Sequence, residues 1–225
     1  MPISPELQSP PELPILPTMG VGSYAIPGWM HLFRRHMGDA AAPFDVAEAF
    51  EDATRLAIAD QVEAGIDIIS DGELRRQRFV YEMYDRISGI AQQQRPRKLG
   101  VPGYDMAPKF YATDKVIAPD GLGLTTEYRD LARLAPGQHL KIAFPGPLTF
   151  AANILPQPYY GEGTEAAERL MNDVIVMLRQ EVEALRMVGA DFIQIDEPGL
   201  TFIPQRRGLD EAANCINQVI RGLSE

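Results

Sequence analysis

Two carboxylates, Glu73 and Asp196, each stand just after a short apolar segment, 66–70 and 191–195 respectively. Continuous apolar runs of that length read as buried strands, so both acids fall at strand C-termini. Carboxylates there are costly to bury unless they meet a cation or several hydrogen-bond donors. Together they can hold one ammonium group, such as that of an amino-acid substrate. Asp71 and Glu197 are their neighbours in sequence, and for these a helix-capping role carries equal weight. Ser23 closes a first strand-like segment over 18–24, while Thr113 and Asp114 close another. Arg75, Arg76 and Arg78 follow Glu73; they read either as a solvated helix start or as a clamp for a polyanionic tail.

Other chemistry is thinly represented. The single cysteine, Cys215, shares a helical face with Ala212, Val219 and Leu223, the pattern of a core thiol, and excludes an intrachain disulfide. The three histidines, His31, His36 and His139, are isolated, with no H-x-x-x-H or H-x-C spacing, so no histidine metal site is readable. With 21 basic and 31 acidic residues the formal net charge is -10. That balance argues against nucleic acid and anionic membranes as partners, since both need a basic footprint. No apolar run approaches the roughly 20 residues of a membrane helix, and the N-terminus lacks a secretory pattern. One cysteine and no signal imply a cytoplasmic protein.

The elements that must position these residues alternate along the chain. Residues 1–17 hold six prolines and read as an extended arm. From 18 onward, strands are expected near 18–24, 66–70, 108–113, 140–144 and 191–195. Helices are expected over 29–36, 45–64, 79–87, 165–188 and 209–223, and a loop or hairpin over 91–107. Asp45 with Glu48 has the spacing of a capping box, and Val46, Phe50, Ala53 and Ala57 form an apolar stripe behind it. Alternating strands and helices predict an α/β fold with a parallel sheet. Neither a G-x-G-x-x-G nor a G-x-x-x-x-G-K-[ST] sequence follows the first strand, so nucleotide-binding versions of that fold have no support.

Four segments then resemble the cobalamin-independent methionine synthases. Met19-Gly20-Val21-Gly22-Ser23-Tyr24 resembles their I-G-S-F/Y-P motif. The stretch from Val62 to Glu73 resembles their Q-x-x-x-G-x-D-x-x-x-x-G-E segment, and Phe144-Pro145-Gly146-Pro147-Leu148-Thr149 resembles x-x-G-P-V/L-T. Gln194-Ile195-Asp196-Glu197-Pro198, preceded by Ile193, matches I-Q-I-D-E-P, the most specific of the four. The resemblance implies a (β/α)8 TIM barrel over 18–225. It implies methyl transfer from a folate of the 5-methyltetrahydrofolate type to the zinc-activated thiol of homocysteine. Ser23 and Glu73 would help bind the substrate amino acid, and Asp196 its ammonium group.

Two departures shape these expectations. The family's tryptophan after G-P-V-T has no counterpart, because the stretch reads Phe150-Ala151-Ala152-Asn153. The family's zinc ligands lie on strands six to eight, and here the fifth expected strand ends near 195. Three more strands would need about 130 residues. The chain is therefore expected to hold about five strands of an incomplete barrel, with zinc ligands beyond Glu225 and none within it. Its open edges imply self-association. Three readings stay open: a methionine-synthase-type methyltransferase; a related zinc-dependent thiol alkyltransferase with a non-folate donor, such as epoxide to coenzyme M; and a non-catalytic half-barrel.

Overall fold

The apolar stripe behind Asp45 becomes helix α2, Pro43–Glu63, preceded by α1, Gly28–His36. In this computed structural model residues 10–36, 43–76, 79–93, 109–201 and 208–223 are described. Phe50, Ala53 and Ala57 are buried with Met30 and Leu74, and Val46, Tyr24 and Ile26 pack against them. The helix begins two residues before Asp45, with proline at its first position, where the missing N–H costs nothing. Asp45 thus lies in the first turn, favourable to the helix dipole, and the expected capping box is not the start signal.

The chain divides into two compact units. One comprises Met1–Phe79, Thr126–Ile142 and Ala190–Ile193; the other Val80–Thr125, Ala143–Gly189 and Gln194–Glu225.

In the first unit β1, Ile68–Ile69, is fully buried and pairs in parallel with β4, His139–Pro145, through Ile68 with His139 and Ile69 with Leu140. Strand β6, Phe192–Asp196, completes the order β1-β4-β6. The expected first strand over 18–24 does not form. It is reduced to one parallel bridge between Met19 and Ile68. Two glycines weaken the segment, and Val21 is 79 % exposed. The segment is still tied alongside β1: the Thr18 amide and hydroxyl donate to Asp67 (2.7 and 2.8 Å), and the Tyr24 amide donates to the Gly72 carbonyl (2.9 Å). Residues 10–17 form neither helix nor strand, as the prolines require, and the Pro11 carbonyl meets the His139 ring at 2.8 Å.

The second unit departs further from a run of parallel strands. Residues 79–86 form a 3₁₀ helix where an α-helix is expected. Then β2, Ser88–Gln92, pairs antiparallel with β3, Phe110–Ile117, and β3 pairs in parallel with β5, Ile154–Pro158. The hairpin reading is therefore correct at its N-terminal end; 94–108 lie outside the described residues. Neither β2 nor β5 has a clear strand pattern. β2 contains Gly89 at an irregularity in the ladder, with φ 83°, and β5 carries two prolines, tolerable because it is paired on one side only in the order β2-β3-β5. Asp114 consequently lies inside β3 rather than at its end. Among the described residues the strands form two three-stranded sheets and no closed barrel.

Helix α3, Leu124–Leu134, precedes β4, and α4, Pro147–Ala151, follows it. Helix α5, Thr164–Met187, follows the predicted stripe: Leu170, Val174, Met177, Leu178 and Leu185 are buried. Helix α6, Leu209–Ile220, buries Ala212, Cys215 and Val219, which places the thiol in the core. Among the described residues no helix is long and apolar enough to cross a membrane.

One buried charge in this unit has a clear structural task. The Glu181 carboxylate on α5 accepts the amides of Leu122 (2.8 Å) and Leu124 (3.1 Å), clamping the turn into α3. Gly121 makes room for it, since a Cβ there would lie 2.9 Å from Glu181 Oε2. Glu181→Ala leaves two buried donors unpaired and should cost about 2–4 kcal/mol in urea denaturation, whereas a loss below about 0.5 kcal/mol would contradict the clamp.

Candidate functional site

The turn after β1 is over-determined. Gln61, buried on α2, donates to the Ser70 carbonyl (2.9 Å) and accepts the Ser70 amide (3.0 Å). Gly72 has φ 69°, and a Cβ on it would come within 2.6 Å of Tyr24 Cβ, so only glycine fits. The next residue, Glu73, is the one non-glycine among the described residues with positive φ, at 55°. Its amide donates to Asp71 Oδ1 (2.9 Å), which holds this unfavourable conformation. Strain of that kind persists only where the surroundings enforce it, and it clusters at functional sites.

The strained turn delivers the Glu73 side chain into the interior, 8 % exposed. Ser23 Oγ donates to Glu73 Oε2 at 2.6 Å, so two of the residues expected from the sequence are in direct contact. On the other oxygen, Arg76 Nη1 stands 3.3 Å from Glu73 Oε1. Arg76 also grips Glu127 of α3 with a fork: Nε to Oε2 at 3.1 Å and Nη2 to Oε1 at 2.6 Å. Neither Arg76 nor Glu127 was singled out for this role by sequence, because the pair is separated by 51 positions.

Charge within this cluster is unbalanced. Asp71, Glu73 and Glu127 surround one guanidinium, and Asp71 Oδ2 is buried without a hydrogen-bond partner. Burial, reinforced by the Asp71 charge and opposed by Arg76, pushes the Glu127 carboxyl up to about 8. Burial disfavours the charged form of Arg76, but Glu127, Glu73 and Asp71 outweigh it and keep the guanidinium protonated. Arg75 points elsewhere, 3.3 Å from Asp130 and 4.0 Å from Glu51. Arg76 is engaged by carboxylates, which counts against the polyanion-clamp reading for it, whereas Arg75 Nε and Nη2 are buried without a hydrogen-bond partner among the described residues; Arg78 lies outside them. A cavity of about 380 Å³ opens on the Met19–Tyr24 segment and reaches Asp60, Gln61 and Gly72.

In the second unit, Asp196 ends β6. Its Oδ1 accepts from Gln194 Nε2 (2.6 Å), and its carbonyl accepts the Gly146 amide (2.8 Å). Glu197 is a helix cap, though not of the helix that follows it. It accepts the amides of Leu148 (2.7 Å) and Thr149 (2.9 Å) and the Thr149 hydroxyl (2.6 Å), at the start of α4. Gly146 is required by close approach, since a Cβ there would sit 2.2 Å from Glu197 Oε1. Burial pushes the Glu197 carboxyl up, while its Thr149 and Leu148 donors oppose that. Phe150 is fully buried; Tyr84 stacks on Phe110 with ring centres 4.7 Å apart and donates to the Phe150 carbonyl at 3.0 Å. No group of three or more His, Cys, Asp or Glu among the described residues could hold a metal ion.

The fold and the site together define an α/β chain with a strained, carboxylate-bearing turn after β1 and a capped G-P-L-T turn after β4. Residues 16–217 match the family described as cobalamin-independent synthase, catalytic domain, and the chain belongs to it. The methionine synthase of Sulfurisphaera tokodaii is 30% identical over 214 residues, covering 95% of this chain and 60% of that protein; that of Sulfolobus acidocaldarius has the same values. The chain thus spans about 60% of the length of these curated relatives. Among solved structures, a B12-independent methionine synthase from a Shewanella species, in complex with selenomethionine, superposes with TM-score 0.69 at 25% identity, covering 93% of this chain and 59% of that one. A vitamin-B12 independent methionine synthase from Listeria monocytogenes shares the fold at 17% identity, also with TM-score 0.69.

The buried acid Glu127 makes stability pH-dependent with a definite sign. Its folded pKa lies above the ordinary carboxyl value of 4.5, so the folded chain binds the extra proton. The stability it contributes is complete below about 4.5 and is lost as pH rises towards about 8. Urea denaturation at pH 5, 6.5 and 8 should show the unfolding free energy falling, with a shallower fall in Glu127→Gln. Equal slopes in the two proteins would contradict the assignment.

Proposed function

We propose that this chain is the amino-acid-binding part of a methyltransferase of the methionine-synthase type, built on a partial TIM barrel. The reaction moves a methyl group from a folate nitrogen to the sulfur of homocysteine. The single observation that carries the reading is Glu73: a buried carboxylate on a strained backbone, hydrogen-bonded by Ser23, in the segment whose sequence resembles the family's G-E motif. Glu73 shares its one cation, Arg76, with Glu127, and the α-ammonium of homocysteine supplies a second for the cluster. Ser23 orients Glu73 and contacts the amino acid; for Asp196 the family resemblance implies a substrate-ammonium role of its own.

Zinc in this family keeps the substrate sulfur as thiolate, the nucleophilic form. The described residues offer no group that fits the ion. A donor other than folate is favoured by one observation: Phe150, the only aromatic side chain in the stretch where the family places its tryptophan, is buried in the core rather than presented to a flat ligand. The corresponding second reading is a thiol alkyltransferase with a non-folate donor.

Calorimetric titration of the chain with L-homocysteine under reducing conditions tests the proposal. Saturable binding is expected, weakened about tenfold or more in Glu73→Gln and in Asp196→Asn, because a hydrogen bond to a charged group is worth about 1.5–3 kcal/mol. Unchanged affinity in both variants would contradict the assigned roles.

A further inference from the structure

We infer that Arg76 is a positioning residue: held by Glu127, it fixes the plane of the Glu73 carboxylate in the orientation that receives a substrate ammonium. The inference rests on the proposed role of Glu73 and adds to it two side chains, Arg76 and Glu127, on separate elements.

The geometry carries it. A glutamate side chain has three rotatable bonds, and one hydrogen bond from Ser23 fixes only one oxygen, Oε2. Arg76 Nη1 at 3.3 Å engages the other, Oε1, so the carboxylate plane is held from both sides. Arg76 can do this because its remaining nitrogens are fixed on Glu127 in a two-point fork, a geometry available to arginine and not to lysine. Arg76 is buried and Glu127 nearly so, with side chains 5 % and 12 % exposed, so the fork is largely shielded from solvent competition.

A purely structural ion pair would be balanced. Here, among the described residues, three carboxyl groups share one guanidinium, Glu127 being pushed up to about 8, and Asp71 Oδ2 is buried with no hydrogen-bond partner. Even with Glu127 holding its proton, the two carboxylates Asp71 and Glu73 face one guanidinium among the described residues, which is the condition for attracting a further cation to Glu73. Arg76 offsets enough of that repulsion to keep Glu73 turned inward, without satisfying all of it.

The test compares L-homocysteine with its des-amino analogue, 4-sulfanylbutanoate, on the wild-type chain, Arg76→Gln and Arg76→Lys. Lysine keeps the charge and protects the fold if the glutamine variant does not fold. For both variants the expected result is a loss of about tenfold or more for L-homocysteine and a change within about twofold for the analogue. Equal losses for both ligands, or no loss for either, would overturn the positioning role while leaving Glu73 as a binding residue. A wild-type chain that binds neither ligand would overturn the underlying reading instead. Nitrogen-15 NMR of the wild-type guanidinium then decides the inference by itself. Arg76 Nε–H, assigned by its disappearance in Arg76→Lys, should exchange with water at least about tenfold more slowly than in free arginine. Exchange at the free rate would show that the fork is not fixed.

Discussion

Among the described residues, one guanidinium facing the buried carboxyls of Asp71 and Glu73 and the nearly buried one of Glu127 is the constraint on which the first unit turns. Ion pairs removed from water gain little net stability unless every partner is satisfied, and this one leaves Asp71 Oδ2 unpaired. Such an arrangement is a poor way to stabilise a fold and a reasonable way to prepare a site. The surroundings hold it in place: Gln61 fixes the backbone at Ser70, Gly72 lets Tyr24 approach, and Asp71 Oδ1 supports Glu73 in its left-handed conformation. Each contact is local, and together they place one carboxylate where the chain alone would not put it.

The second unit spends its buried carboxylates differently. Glu181 and Glu197 each satisfy two backbone amides at a helix start, and their partners are complete. The contrast separates structural acids from those with capacity left over. It also explains why adjacent residues such as Asp196 and Glu197 diverge: the second is consumed by α4, whereas the first accepts, among the described residues, the side-chain amide of Gln194.

Much of this was legible in the sequence. The helical stripes of α2, α5 and α6 survived intact because burial of one face is what forms those helices. β4 and β6 were legible as continuous apolar runs. The contact between Ser23 and Glu73 followed from the motif positions, and the strain at Glu73 did not, since φ is invisible in residue order. The segment over 18–24 looked like a strand from its apolar character but lacks the pairing that makes one. β2 and β5 were hidden by glycine and proline, residues that sequence reasoning rightly counts against strands and that edge positions tolerate. Arg76 reads in the sequence as part of a basic run; its pairing with Glu127 is set by tertiary structure.

The central claim is that the Glu73 carboxylate, held by Ser23 and Arg76, receives the ammonium of an amino-acid substrate. A crystal structure of the 225-residue chain with L-homocysteine bound under reducing conditions tests it most directly. The expected result is the ligand nitrogen within about 3 Å of a Glu73 oxygen, with the Ser23 and Arg76 contacts retained. A ligand whose nitrogen lies elsewhere, with Glu73 still closed on Ser23 and Arg76 alone, would contradict it.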